Sequence, residues 1–146
     1  MALPQLEPSG DLPVGVHEAT LAEVLARFGT GSPERRAVSD RLARVWELAT
    51  ATGALDRLIV FGSYVTDKAE PNDVDVVLLM RDDFELSACP PLARALFDHL
   101  RAADELGASV FWARPGMLFG EPVEEFVASW QVKRGGGRRG IVEVRG

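Results

Sequence analysis

Two aspartates separated by a single residue, Asp73 and Asp75, stand at the head of the apolar run Val76–Met80, and nine residues separate them from a Gly-Ser pair, Gly62-Ser63. On an extended strand alternate side chains share a face. The two carboxylates therefore point the same way, with α-carbons about 6–7 Å apart, while Val74 points into the core. Bare carboxylates side by side repel and raise each other's pKa, and a divalent cation relieves that repulsion. Mg²⁺ suits such hard oxygen ligands and is usually held by one or two carboxylates together with substrate phosphates; Mn²⁺ accepts the same donors. Gly62 lets the backbone approach a phosphate closely. Backbone N–H groups at the start of a short helical segment, with the Ser63 hydroxyl, can donate to its oxygens. Lys68 is the first cation in sequence after the pair. An anion-binding turn facing a metal-binding acid pair brackets a nucleoside triphosphate (NTP), and nucleotidyl transfer needs little beyond such positioning and charge stabilisation.

Each piece is ordinary by itself. Gly-Ser is a common turn, Asp-x-Asp a common solvated strand entry, and Glu70–Asp73 makes a turn unaided. The combination is more specific, because the pair closes one expected strand and the acids open the next.

The elements that must position these residues follow from periodicity and caps. Residues 1–16, rich in Pro and Gly, read as an extended arm. Thr20 and Glu23 form a capping-box pattern, after which Leu21, Val24, Leu25 and Phe28 repeat at helical spacing as far as Gly29 and Gly31. Ser32-Pro33 starts a second, longer helix with the stripe Val38, Leu42, Val45, Trp46 and Ala49, and Gly53 caps its end. Residues 55–61 and 74–80 read as strands, the latter buried on both faces. The spacing predicts a helix from about Pro91 to Leu106 with Leu92, Leu96, Leu100 and Ala103 inward. A third strand is expected at 108–113, a short helix carrying Val123, Phe126, Val127 and Trp130, and a glycine-rich turn leading into a last strand, Ile141–Val144. Interleaved helices and strands predict an α/β (α+β) domain over 1–146, with helices packed on a small mixed sheet. The arm 1–16 and the segment 132–146 pack on that core or on a partner.

Composition narrows the function classes. The chain has 146 residues, and 47% hydrophobic and 26% charged content is ordinary for a globular domain. No window approaches the roughly 18 apolar residues of a membrane span, and MALPQLEPSG lacks the regions of a signal peptide. A formal net charge of −6 argues against bulk DNA binding. The one cysteine, Cys89, excludes an internal disulfide and fits a cytoplasmic setting. One cysteine and two widely separated histidines give no zinc pattern.

Gly62-Ser63, nine residues, then Asp73-Val74-Asp75 resembles the signature of the DNA-polymerase-β-like nucleotidyltransferase superfamily. The blocks LPVGVHEATLAEVLARFG, GSYVTDKAEPNDVDVVL and GIVEV resemble those of small bacterial nucleotidyltransferase-like proteins of the DUF6932 type, over Leu12 to Val144. That resemblance implies a minimal nucleotidyltransferase fold with Gly62 and Ser63 on the triphosphate, Asp73 and Asp75 on Mg²⁺, and Lys68 where relatives carry an arginine. It also implies transfer of a nucleoside monophosphate (NMP) from an NTP to an acceptor hydroxyl on RNA, a protein or a small molecule, with a partner protein of the toxin–antitoxin kind. The family's third carboxylate belongs on the next strand. ASVFWA has none, and Ser109 stands near its place. Glu121, Glu124 or Glu125 could substitute, or the fold could serve as a nucleotide- or partner-binding module without turnover.

Other residues carry two readings each. His17 could contact a phosphate or be structural. His99 reads as a surface residue, and Trp46, Trp112 and Trp130 as core. Lys133–Arg139, KRGGGRR, is a solvated turn or a flexible clamp over a triphosphate or an RNA end.

Overall fold

The computed structural model describes residues 3–146. Five strands, β1 (Val16–Thr20), β2 (Leu55–Phe61), β3 (Val74–Met80), β4 (Ala108–Ala113) and β5 (Ile141–Arg145), form one sheet in the order β1-β5-β2-β3-β4. The pairs β1/β5 and β3/β4 are parallel, and β5/β2 and β2/β3 antiparallel. The mixed sheet with helices agrees with the α+β class expected from the sequence.

One face packs on α1 (Leu21–Phe28) and α2 (Pro33–Ala51) through Leu58, Val60, Val76, Leu78, Val142 and Val144. The other face, with Ile59, Val77, Leu79 and Ile141, packs on α4 (Val123–Ser129). Coverage on both sides explains why β3 reads as a continuous apolar run rather than an alternating one. The local signals act as expected. Thr20 and Glu23 close a reciprocal capping box, the Ser32 hydroxyl accepts from Arg35 N, and Gly53 turns the chain after α2 at φ 72°.

Two sequence expectations need correction. The arm 1–16 leads into a strand that the sequence did not announce, β1, an edge strand paired in parallel with β5 across the length of the chain. Only Ala19 of that strand is buried, so VHEAT carries almost no apolar alternation, and its pairing is entirely long-range. The segment 91–106 is not one helix. A 3₁₀ stretch (Pro91–Phe97) breaks at Asp98, whose extended backbone restarts the chain and whose carboxylate caps α3 (His99–Arg101); a π turn follows over Ala102–Leu106. Phe97 wedges against Phe84 and Trp112, with ring centroids 4.6 and 5.3 Å away. That packing overrides the helical repeat, so Leu92 and Leu100 are 70% and 79% exposed and Ala103 is also exposed, while Leu96 is buried as expected.

Candidate nucleotide-binding site

The site is built where β2 ends beside the start of β3. Phe61 is the last residue of β2, and Gly62 turns the chain at φ 80°, ψ −165°, into a 3₁₀ turn over Ser63–Val65. A side chain at 62 would be strained by that φ, and its Cβ would fall on the Asp75 Oδ2 atom. Glycine is therefore required twice over, once for the backbone and once for the close approach of the carboxylate.

The turn is fixed from beneath. Tyr64 and Val65 are buried in the core, and the Tyr64 hydroxyl meets that of Ser39. Arg35 of α2 is 6% exposed, and its guanidinium donates to the carbonyls of Phe28, Tyr64, Thr66 and Lys68. One buried cation thus collects three carbonyls of the loop that follows Gly62-Ser63. It also holds the Lys68 backbone away from the hollow. With the Lys68 carbonyl held against α2, the side chain is exposed and is not among the residues that line the hollow described below.

Asp75 sits on β3 directly between Phe61 of β2 and Ser109 of β4, on the α4 face of the sheet. Burial pushes its pKa from 3.8 up to about 6, the neighbouring Asp73 adds to the rise, and Arg139 and Arg134 offset part of it. Asp73, just before the strand, is exposed, and Val74 between them is fully buried, as alternation requires. Asp73 thus acts on Asp75 through its charge, but only Asp75 is among the residues that line the hollow described below.

Around Asp75 lies a hollow of about 630 Å³, lined by Gly62, Ser63 and Ser109 at its floor and by Lys133, Arg134 and Arg139 at its rim. Its wall is aromatic. The Phe61 and Phe111 rings lie 4.9 and 5.2 Å from that of Trp130, and Phe61 lies 6.2 Å from Phe111. Trp130 is thus a wall of the hollow as well as a packing residue, a role its inward position at the end of α4 did not reveal. Trp46 and Trp112 pack against the main core. Lys133, Arg134 and Arg139 of KRGGGRR reach the hollow because the chain folds back through long-range contacts that no local pattern encodes.

Ser109 pairs with Asp75 on β4, the strand on which the resemblance implies a third carboxylate. Glu124 instead accepts from Arg57 at 2.6 Å, and Glu121 and Glu125 are exposed and do not line the hollow. Among the described residues no group of three or more His, Cys, Asp or Glu stands together to hold a metal. Two carboxylates that repel each other fit a Mg²⁺ or Mn²⁺ ion that arrives with phosphates, rather than one caged by protein.

A larger hollow, about 850 Å³, opens elsewhere on the protein beside His17, Glu18, Asp56, Arg57, Glu124, Glu143 and Arg145. Its arginines are paired. Arg57 donates to Glu143 and Glu124, and Arg145 lies against Glu18 and Glu143. The His17 ring donates from Nε2 to the Pro13 carbonyl at 2.7 Å, the structural role. His99 is exposed, with Nδ1 3.2 Å from the Val110 carbonyl. Cys89 is buried, which pushes its thiol pKa up and away from a nucleophile's range.

Fold and site together define a small α+β domain in which the Gly62-Ser63 turn, the Asp75 carboxylate and three cations line one hollow. Residues 4–145 match the model of a family described as "Family of unknown function (DUF6932)", and the chain belongs to that family. No curated protein and no solved structure matches it. Among the described residues no helix is long and apolar enough to cross a membrane.

Proposed function

We propose that the hollow is an NTP–Mg²⁺ site of the nucleotidyltransferase kind, with Gly62 and Ser63 on the phosphates and Asp73 and Asp75 on the metal. The observation that carries this reading is the close approach of the Asp75 carboxylate to Gly62, which sets the Gly62-Ser63 turn beside that carboxylate, with Asp73 two residues before it. Bound Mg²⁺ would neutralise phosphate charge and polarise the reacting phosphoryl group. The chain's own residues orient the triphosphate, and the wall of Phe61, Phe111 and Trp130 excludes water and offers rings to a base. In the reaction an acceptor hydroxyl forms a new P–O bond at the α-phosphorus, the bond to pyrophosphate breaks, and the hydroxyl proton passes to a base. The acceptor would be an RNA end, a protein or a small molecule, with a toxin–antitoxin partner protein and the cytoplasm as the setting.

One observation favours a second reading. Ser109 stands where a carboxylate would take that proton, and no other acid in the hollow replaces it. A module that binds nucleotide without turnover, such as an antitoxin-like regulator, needs everything present and nothing absent.

The test is incubation with each of the four α-labelled NTPs and Mg²⁺, with calorimetric binding in parallel and Asp73→Ala/Asp75→Ala as control. Label transfer lost in the control supports the enzyme. Metal-dependent binding without transfer supports the module. Absence of both results sinks the site assignment.

A further inference from the structure

The stretch Lys133–Arg139 is a closed hairpin. Lys133 N donates to the Gly137 carbonyl at 2.9 Å, Gly136 N to that of Lys133 at 3.0 Å, and Arg139 N to that of Gln131 at 2.9 Å. Gly136 and Gly137 turn the tip at φ 99° and 79°, conformations that other residues resist. The stem is fastened to the N-terminal segment. Gly140 N donates to the Leu12 carbonyl at 2.9 Å, and Gly15 N to the Gln131 side-chain oxygen at 2.6 Å. Asp11, 8% exposed, receives Lys133 at 2.9 Å and lies 3.6 Å from Arg139. The glycine-rich basic stretch, with its two readings of solvated turn and flexible clamp, is a hairpin fastened to the N-terminal segment.

Its charge is out of character with the rest of the chain. The protein carries −6 overall, yet the residues lining the hollow contribute Lys133, Arg134 and Arg139 against the single carboxylate of Asp75. Asp11 neutralises part of that charge from outside the lining. Arg134 is exposed and makes no ion pair with the described residues, and its neighbour Arg138 is exposed but does not line the hollow. A local reversal of charge beside a Gly-Ser turn suits an anion with several oxygens, and guanidinium groups match phosphate geometry in a bidentate way.

We infer that the hairpin is the polyphosphate grip of this site: Arg134 and Arg139 hold phosphate oxygens of a ligand seated at Gly62-Ser63, and Asp11 is the positioning residue that keeps Lys133 and Arg139 at the rim. The inference rests on the NTP reading and deepens it, because it supplies from the C-terminal end the cation that Lys68 does not.

The experiment is calorimetric titration of the full chain at low salt with inorganic tripolyphosphate alone and with each Mg–NTP. Arg134→Gln is compared with Arg138→Gln, and thermal unfolding is followed for both. Arg134→Gln weakens tripolyphosphate and the bound NTP about tenfold, the loss expected for one charge-assisted contact, with unfolding unchanged. Arg138→Gln leaves both affinities within about twofold of the parent, since an exposed charge outside the hollow contributes little. Equal weakening by the two variants means diffuse attraction and overturns the inference, as does an unaffected Arg134→Gln. Tripolyphosphate binding that depends on Arg134, with no gain from a nucleoside or Mg²⁺, upholds the grip and removes the NTP reading. No binding of either probe overturns both.

Discussion

Replacing Asp75 by asparagine should make the protein more stable at neutral pH. The substitution keeps shape and removes a charge that the fold holds at a cost. The Asp75 carboxyl has its pKa raised from 3.8 to about 6, first by burial and then by Asp73. A raised pKa in an acid means that the folded state binds a proton more tightly than the unfolded chain. The cost is therefore absent below about pH 4, grows as pH rises through the window between the two values, and is complete above about pH 6. Each pH unit of that displacement corresponds to about 1.4 kcal/mol, which sets a ceiling of about 3 kcal/mol. Partial solvent access lowers it, so the expected gain is about 1–2 kcal/mol, or roughly 5 °C in Tm for a chain of this size. Urea unfolding of parent and Asp75→Asn, without Mg²⁺, at about pH 4 and about pH 7.5 measures it. The curves should coincide at the lower pH and separate at the higher, with asparagine the more stable. A variant equally or less stable at about pH 7.5 would show that the carboxylate has good partners in the fold, and would refute a site that waits for a cation.

Three further outcomes follow from the same geometry. Gly62→Ala places a Cβ on the Asp75 carboxylate at a φ of 80°, so Tm should fall by an amount equivalent to about 2 kcal/mol or more, with nucleotide binding lost; retention of both in melting and titration would contradict the close approach. Arg35→Met strands the carbonyls of Phe28, Tyr64, Thr66 and Lys68, which should cost about 3 kcal/mol in urea unfolding and speed amide exchange over 63–68. Ser109→Asp restores a carboxylate beside Asp75; on the transferase reading it should raise label transfer about tenfold or more while lowering stability without metal, and transfer that stays at background would favour the binding module.

What could be read from the sequence was whatever is set by neighbours along the chain. Thr20 with Glu23 and Ser32 with Pro33 start helices by satisfying N–H groups within three residues. The runs 55–61, 74–80 and 108–113 are strands because their apolar and β-branched side chains suit a covered sheet. Asp73, Val74 and Asp75 show their alternation directly, since a strand has a period of two. The tertiary structure decided what depends on residues far apart. Parallel pairing of β1 with β5 joins segments more than a hundred residues apart, so VHEAT gives no local sign of it. Phe97 finds Phe84 and Trp112 only after folding, and their packing breaks a helix that the leucine spacing favours. Asp11 meets Lys133 and Arg139 for the same reason. The cations that line the hollow therefore belong to the C-terminal hairpin, while Lys68 lies outside it: Arg35 holds the Lys68 carbonyl against α2, and the N-terminal segment fastens the hairpin.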